Sequence, residues 1–413
     1  MTAPAVSAHS SRPLPYLDGL RGLAALTILV NHYLTAFYPT MLTGEAAKAH
    51  VVQWPGAEVA MAASPLNLLR SNGVGVCVFF VLSGFVLSEA YFARPGALGL
   101  QAQAARRYVR LMLPVAVSAL LGFVGLRLGW FLNDEVVATS GAAWFSRFWQ
   151  TQPSVLQFAK DVVVDIPLSG EPAYNPVLWT LHLELMGSFL VFALLAFFAS
   201  ARRRGLIYAV TVLLISLSTW SFYLVAFVVG LALNDYRRHG PRWNAARNRG
   251  FVTAALVLGF VVLGSFPTSY FVAWADSPYR WLKLPFLSLD RTEELFHIAA
   301  AALLLAALLS SGGLRRAFQA RWLLFLGRIS FALYLLHFLV LGSVSAAVFL
   351  ALQKHFSYHL SFGLMVLVSW PVLVLASMAM NRWVIRPSNR LSRYLYERWF
   401  QPKVIEPARQ PAP

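Results

Sequence analysis

The sequence alternates long apolar runs with short clusters of basic residues over nearly its whole length. A helix of roughly 20 apolar residues is needed to cross a bilayer core about 30 Å thick. By that criterion we expect an all-α polytopic membrane bundle of about ten transmembrane helices. Residues 204–234 fit either two short helices with a turn near Ser218 or one long bent helix. The candidate spans are residues 17–38, 73–92, 111–131, 177–199, 204–217, 219–234, 251–267, 294–310, 327–351 and 359–385.

The low charge content of the chain excludes a soluble globular enzyme. Charged residues make up 12% of the 413 positions and apolar residues 58%, whereas soluble domains carry about 25% charged residues. Two or three soluble domains of this total length would need a polar shell that the sequence does not supply. The single cysteine, Cys77, excludes internal disulfides and a cysteine-based metal site, and we expect no metal.

The excess of basic residues indicates how the spans are oriented. Lys and Arg number 34 against 17 Asp and Glu, and a nucleic-acid-binding protein would gather such charge on one polar face or arm. Here the cations fall in alternate loops. With ten spans and a cytoplasmic N-terminus, 24 of the 34 lie on the cytoplasmic side and 11 of the 17 acids on the other. This positive-inside pattern predicts that both termini are cytoplasmic, and it argues against a nucleic-acid partner.

The positions of the apolar runs also predict the domain organisation. Residues 1–16 are polar and lack a signal-peptide cleavage pattern, so we expect a cytoplasmic N-terminal segment. Residues 17–385 form the transmembrane domain and residues 386–413 a cytoplasmic tail. Long loops often carry function or pack over a site, and three of them are expected on the outer side. These are residues 39–72, 132–176 and 268–293.

The first span carries three ionisable residues on one face. Ionisable side chains are costly inside a membrane and are functional candidates for that reason. Asp18, Arg21 and His32 have spacings that return to the same side of a helix. Arg21 lies just inside the cytoplasmic edge, and His32 lies past the midplane, about 16 Å further along the axis. One polar stripe therefore joins the two sides of the membrane.

Three other spans contribute polar side chains at helical spacing. The fourth carries Glu184 about two turns into the membrane, at a depth comparable with that of His32. The ninth has polar residues at positions i, i+4 and i+7, and the second offers a hydroxyl. Besides Glu184, these residues are Trp179 and Thr180 in the fourth span, Ser330, Tyr334 and His337 in the ninth, and Ser83 in the second.

Five segments, in this order, resemble the membrane-bound acyltransferase family 3. The first pairs Arg21 with His32 after ten intervening residues, and the third contains an Arg-x-x-Arg pair formed by Arg107 and Arg110. Each segment alone is weak, but five in the expected order are specific, and the resemblance covers nearly the whole chain. The segments are Leu17–Gly22, Gly75–Phe85, Arg107–Pro114, Asn175–Glu184 and Ile329–Phe338.

The resemblance implies transfer of an acyl group, usually acetyl, from a cytoplasmic acyl-CoA to a hydroxyl of an extracytoplasmic glycan or other molecule. Its implied partners are acyl-CoA, a carbohydrate acceptor and membrane lipid, in a multi-pass protein of a bacterial inner membrane. Three positions depart from the family's pattern. Cys77 stands where Asp is usual, His182 where some members have a small residue or Pro, and Leu185 where an acid or Gln is common.

Acyl transfer to a hydroxyl needs a base on the acceptor oxygen and stabilisation of the charge that develops at the tetrahedral centre. His32 is the candidate base because imidazole changes its charge near neutral pH. Glu184 is the expected group that orients it, and Asp18 completes this catalytic set by holding Arg21. The other assignments are Arg21, Arg107 and Arg110 to the CoA phosphates, and Ser83, Trp179, Thr180, Tyr334 and His337 to the substrate pocket.

Other interpretations of these residues stay open on the sequence alone. Arg107 and Arg110 fit ordinary positive-inside anchors, Glu184 fits an ion pair with a neighbouring helix, and Tyr334 and His337 fit interhelical packing. For the whole protein, one alternative is O-acylation of a small secreted metabolite. Another is a secondary transporter, and a third is a non-catalytic export or scaffolding protein.

Overall fold

The computed structural model describes residues 14–44, 55–93, 95–240, 249–272 and 277–399. Within these ranges the chain contains no strand, which confirms the all-α expectation. The described residues form ten longer helices. In chain order these are α1 (Pro15–Phe37), α2 (Asn72–Ala93), α3 (Ala97–Arg127), α4 (Trp179–Phe198), α5 (Arg204–Leu217), α6 (Leu224–His239), α7 (Arg249–Gly264), α8 (Leu289–Ser310), α9 (Arg321–Gln353) and α10 (Tyr358–Trp399).

Seven of these helices are long and apolar enough to cross a membrane, namely α1, α2, α3, α4, α8, α9 and α10. The helices α5, α6 and α7 contain 14, 16 and 16 residues, fewer than the roughly 20 that a full crossing needs. The expected bundle of membrane-spanning helices is therefore confirmed. The count of about ten spans and the cytoplasmic position of both termini stay predictions.

Residues 204–234 form two helices rather than one bent helix. α5 ends at Leu217, where the backbone of Ser218 is extended. The Ser218 hydroxyl donates to the carbonyl oxygen of Ile215 at 2.9 Å and accepts the backbone N–H of Trp220 at 3.1 Å. A serine side chain that bonds to its own backbone in this way competes with helix continuation, so the turn is encoded locally.

Two helices extend beyond the apolar runs from which they were expected. α3 begins at Ala97 instead of near residue 111. α10 continues past residue 385 through a π-helical segment, Asn381–Ile385, and ends at Trp399. The added polar turns pack on each other, and hydropathy does not detect them. Residues 1–13 of the expected N-terminal segment and residues 400–413 of the expected tail lie outside the described residues.

The bundle has two ends, which we name after residues near the two ends of α1. This helix packs against α9 and α2, and α2 also packs against α4, α6 and α8. We call the end near Arg21 the Arg21 end and the opposite one the His32 end. The connections at the His32 end are long and contain most of the short helices, including Thr40–Thr43, Pro55–Ala62, Pro65–Arg70, Asn133–Ser140 and Asp161–Ser169.

Glycines allow α1 and α9 to approach at backbone distance. A Cβ atom added at Gly327 would overlap the carbonyl oxygen of Asp18, and one at Gly22 would lie 2.6 Å from the carbonyl oxygen of Leu323. Small residues at such a crossing are typical of helix packing in membranes. Because Arg21 and His32 lie on α1, this crossing sets their distance from the residues of α9.

Replacing Gly327 by Ala is expected to destabilise the protein by about 1–3 kcal/mol, because the added methyl group forces the α1 and α9 backbones apart. Unfolding in mixed micelles by denaturant measures this change. The matched control is Gly363→Ala in α10, where a Cβ atom meets nothing within 4 Å, and no loss of stability is expected there. Equal stability of the two variants would contradict the close crossing.

Candidate functional site

Four arginines line a cavity at the Arg21 end of the bundle. The cavity has a volume of about 400 Å³ and lies between α1, α2, α3, α4, α9 and α10. We call it the arginine cavity. Its arginines are Arg21 from α1, Arg107 and Arg110 from α3, and Arg328 from α9, and its hydroxyl groups come from Ser83, Thr180, Ser330 and Tyr334.

Glu184, the one acidic residue that lines this cavity, is held by Arg107. The two side chains form a close ion pair, and the Arg107 side chain is 5% exposed. Arg107 also donates through Nε to the hydroxyl of Ser188 at 2.8 Å, and Ser83 donates to Glu184 Oε1 at 2.6 Å. Because a buried charge needs both a counter-charge and hydrogen bonds, these contacts account for the polar residues in this part of the bundle.

The other three arginines of the cavity have no carboxylate partner within its lining. Arg21 lies 3.5 Å from Asp18, but both side chains are substantially exposed, and an ion pair of that kind contributes little. Arg110 and Arg328 face the same space. The arginine cavity is therefore cationic, and guanidinium groups of this kind bind phosphate through forked, charge-assisted hydrogen bonds.

His32 is paired with His337, and not with Glu184 as the sequence led us to expect. His32 Nδ1 and His337 Nε2 lie 3.0 Å apart, and His337 Nδ1 lies 2.7 Å from the carbonyl oxygen of Tyr334. The physical reason is that the buried guanidinium of Arg107 holds the carboxylate of Glu184 in the arginine cavity. This carboxylate therefore does not orient the imidazole of His32.

The hydrogen bonds assign the protons of this histidine pair in its neutral state. A carbonyl oxygen only accepts, so His337 Nδ1 donates to Tyr334 and its Nε2 carries a lone pair. That lone pair accepts the N–H at His32 Nδ1. The Nε2 of His32 is consequently the unprotonated nitrogen, which is the atom that a general base needs.

His32 also lines a second cavity, of about 810 Å³, at the His32 end. We call it the histidine cavity. The loop between α3 and α4 closes one side of it with Trp144, Arg147 and Phe148. Trp144 donates to the carbonyl oxygen of Thr35 at 3.0 Å, and its ring centroid lies 6.3 Å from that of His32. The long loop between α3 and α4 therefore contributes to the lining of this cavity, as expected for loops of this length.

One turn of α9 separates the two cavities. The hydroxyl of Tyr334 lies 2.8 Å from that of Thr180, and both residues line the arginine cavity. The carbonyl oxygen of the same Tyr334 holds His337, which holds His32. The chain of contacts Tyr334–His337–His32 thus connects the cationic cavity to the imidazole that faces the other one.

The remaining candidates occupy different places. Trp179 lines a third cavity at the His32 end rather than the arginine cavity. Cys77 is fully buried, and His182 lies 2.9 Å from the carbonyl oxygen of Pro167, which ties α4 to the loop that precedes it. Among the residues that the structure describes, no group of three His, Cys, Asp or Glu side chains is placed to hold a metal ion.

Two contributors to the site were not singled out from the sequence. Arg328 lines the arginine cavity, and it lies within the candidate span 327–351. That position was the available signal, because arginine is costly there. Asn381 reaches the same cavity from the π-helical segment of α10, and π-helical turns often occur at functional sites. No sequence signal identified this turn.

Comparison with known proteins identifies similar chains over the full length. The family model described as "Acyltransferase domain" matches residues 14–382. "Acyltransferase clz18" of Cochliobolus lunatus is 24% identical, over 94% of this chain and 97% of its own length. "O-acetyltransferase PaAT-1" of Phomopsis amygdali is 24% identical, over 93% of this chain and 84% of its own length. "Acyltransferase R4" of a Phoma species is 24% identical, over 94% of this chain and 98% of its own length. No solved structure matches.

Removing one member of the buried ion pair is expected to be costly. Glu184→Ala leaves Arg107 buried without a counter-charge, and a loss of about 3–5 kcal/mol of unfolding free energy is expected. The double variant Arg107→Met/Glu184→Leu is expected to recover most of it, because no uncompensated charge remains. Denaturant unfolding in mixed micelles measures both.

The control is Glu294→Ala, which removes the partner of Arg291 in a pair whose side chains are 21% and 37% exposed, and it is expected to cost about 1 kcal/mol or less. A Glu184→Ala variant as stable as this control would show that the Arg107–Glu184 pair does not hold the bundle together.

Proposed function

The chain belongs to this acyltransferase family, and we propose that it transfers an acyl group from cytoplasmic acyl-CoA across the membrane to a hydroxyl of an extracytoplasmic acceptor. The relatives named above as acyltransferases and an O-acetyltransferase make it an O-acyltransferase, and acetyl is the proposed acyl group. One observation carries the proposal. The arginine cavity and the imidazole of His32, whose Nε2 is unprotonated, are one turn of α9 apart and are connected through Tyr334 and His337.

The arginine cavity supports the assignment of the donor site. CoA is a polyanion, and Arg21, Arg110 and Arg328 offer guanidinium groups that the lining of the cavity leaves without a carboxylate. The hydroxyls of Thr180 and Tyr334 line the inner part of the same space. The proposed donor therefore binds with its phosphates at the arginines and its thioester directed towards Tyr334.

The chemistry exchanges a C–S bond for a C–O bond and moves one proton in two steps, through His32. His32 Nε2 takes the proton of the acceptor hydroxyl while the oxygen attacks the thioester carbonyl carbon. The tetrahedral intermediate carries its negative charge on the former carbonyl oxygen. The hydroxyl of Tyr334 donates to the carbonyl oxygen of Val177 in this structure, so it has to turn from that carbonyl to donate to the intermediate. The C–S bond then breaks, the CoA thiolate takes the proton from His32, and an O-acyl ester and free CoA remain. His337 acts as a positioning residue for His32.

The arrangement of charges supports ten spans with the Arg21 end in the cytoplasm. If every helix crosses, both Pro15 and Trp399 lie at the Arg21 end, and the contact of Arg106 with the ring of Tyr396, at 5.7 Å, is consistent with this. Basic clusters such as Arg202–Arg204 and Arg315–Arg316 then face the cytoplasm. This is the side on which acyl-CoA is available.

The histidine cavity supports a carbohydrate acceptor. Trp144, Phe148 and Tyr270 give it aromatic surfaces, and Asn31 and Thr35 give it polar ones. Sugars present apolar C–H faces and hydroxyl edges, so this lining suits a cell-surface glycan. A small secreted metabolite with one hydroxyl is the second candidate, and the volume of about 810 Å³ is large enough to hold one. The relatives named above are fungal, so the proposed location is a cell membrane with no commitment to a bacterial one.

Loss of the base is expected to abolish transfer. His32→Ala in nanodiscs is expected to lower the rate of transfer from radiolabelled acetyl-CoA to maltotriose by a factor of about 10²–10⁴, because the hydroxyl is no longer deprotonated. His337→Gln is expected to have a smaller effect and to shift the pH profile. The control is His355→Ala, an exposed histidine at the His32 end, which is expected to behave like the wild type. Wild-type activity in His32→Ala would remove His32 from the mechanism.

Loss of an unpaired arginine is expected to weaken donor binding. Arg110→Ala and Arg328→Ala are each expected to raise KM for acetyl-CoA roughly 10–100-fold with a smaller effect on kcat, since each removes a hydrogen bond to a charged group. Initial rates at varied acetyl-CoA measure this. Arg106→Ala is the matched control because Arg106 donates to the carbonyl oxygen of Ala102 and does not line the cavity. An unchanged KM in both test variants would contradict the donor site.

A further inference from the structure

A third cavity lies beside the histidine cavity at the His32 end of the bundle. It has a volume of about 370 Å³, and we call it the polar cavity. The two cavities share Asn31, Leu42 and Tyr270 in their linings. Asn31 precedes the base His32 on α1. The side chains that matter below are Asn31, Arg70, Trp179, Tyr223, Glu293 and His297.

Two buried side chains of the polar cavity have polar atoms without a hydrogen-bond partner among the residues that the structure describes. Arg70 is 2% exposed, its Nη2 donates to the carbonyl oxygen of Met41, and its Nε has no hydrogen-bond partner. His297 is also 2% exposed, and its Nδ1 has none either, although Glu293 Oε1 lies 3.7 Å away. Such atoms cost about 1–3 kcal/mol each when buried, so they mark a place where the polar groups of a ligand complete the bonding.

Arg70 forms no ion pair with an acidic side chain among the residues that the structure describes. Burial lowers the pKa of its guanidinium to about 10, and the side chain therefore stays charged at neutral pH. It offers a fixed donor at Nε to whatever occupies the cavity. An apolar occupant would leave this donor unsatisfied, so the lining selects a ligand with acceptor oxygens.

The lining also has acidic and aromatic side chains. Glu293 Oε2 accepts the backbone N–H of Ser269 at 2.7 Å, and its carboxyl group can accept a further hydrogen bond from a ligand. The rings of Trp179 and Tyr223 lie 5.9 Å apart and form an apolar wall. Asp290 lies in the same lining, and so does Glu294, which is paired with Arg291. Asp290 and Glu293 remain beside one guanidinium group of the lining, that of Arg70, and this balance disfavours an anionic ligand.

We propose that the polar cavity is an acceptor subsite that binds a neutral polyhydroxylated ring through Trp179, Glu293 and Arg70. The ring stacks its C–H face on Trp179, donates a hydroxyl to Glu293 and accepts from Arg70. Asn31 lines both cavities next to His32, so a neighbouring ring of the same acceptor places its hydroxyl at the base. This subsite rests on the proposed function and narrows it to neutral glycosides and oligosaccharides, as opposed to uronic acids or phosphorylated sugars.

Ligand binding tests the subsite without catalysis. The full-length protein in nanodiscs is mixed with methyl β-glucoside or with its anionic counterpart, methyl β-glucuronide, and saturation-transfer difference NMR detects binding. The wild type is expected to give a signal for the glucoside and none for the glucuronide. Trp179→Ala and the conservative Glu293→Gln are each expected to reduce the glucoside signal at least fivefold. The matched control is Trp281→Ala, whose side chain is 80% exposed and lies outside the cavity lining.

The outcomes separate the subsite from the proposed reaction. Equal signals for the two sugars, no glucoside signal in the wild type, or a full signal in both Trp179→Ala and Glu293→Gln would each overturn the subsite. His32→Ala is expected to keep the glucoside signal while it loses acetyl transfer. If the wild type fails to transfer acetyl groups but binds the glucoside in a Trp179-dependent way, the subsite stands and the proposed function falls.

Discussion

The buried ion pair between Arg107 and Glu184 determines what the other charged residues of the bundle are free to do. Two charges in a low-dielectric bundle are held in place by each other and by the hydroxyls of Ser83 and Ser188. The pair uses the one carboxylate among the described residues that line the arginine cavity. Three guanidinium groups of the cavity therefore remain for the phosphate-bearing donor that we propose, and the imidazole of His32 is oriented by a different residue.

The residue that orients the imidazole of His32 is His337, which lies between His32 and the backbone of α9. A backbone carbonyl at Tyr334 orients His337, which orients His32, so the tautomer of the base is set by rigid helix geometry instead of a mobile carboxylate. The same Tyr334 faces the arginine cavity with its hydroxyl. The arginine cavity and the histidine cavity are therefore connected through consecutive turns of one helix, α9. This helix packs closely against α1 at Gly22 and Gly327.

Much of the fold was predictable from the sequence, because hydropathy and helical spacing act locally. The apolar runs anticipated every long helix. The sequence also grouped Arg21, Arg107 and Arg110, which line one cavity, but it assigned Ser83, Thr180 and Tyr334 to a separate substrate pocket, whereas they line the same cavity. What failed was long-range pairing. Depth along a helix made Glu184 and His32 plausible partners, but depth carries no information on which neighbouring side chain competes for the carboxylate. Nor does hydropathy detect polar helix extensions such as 97–110 and 386–399, or π-helical turns.

The central claim is that donor and acceptor meet from opposite sides of the membrane. Membrane vesicles of one orientation, with the Arg21 end outward, can be loaded with maltotriose and supplied with radiolabelled acetyl-CoA, which does not cross a bilayer, from outside. The account predicts O-acetylated maltotriose inside the vesicles, and none when the label is supplied only to the inside. Product that forms only when acetyl-CoA and maltotriose are on the same side would contradict it.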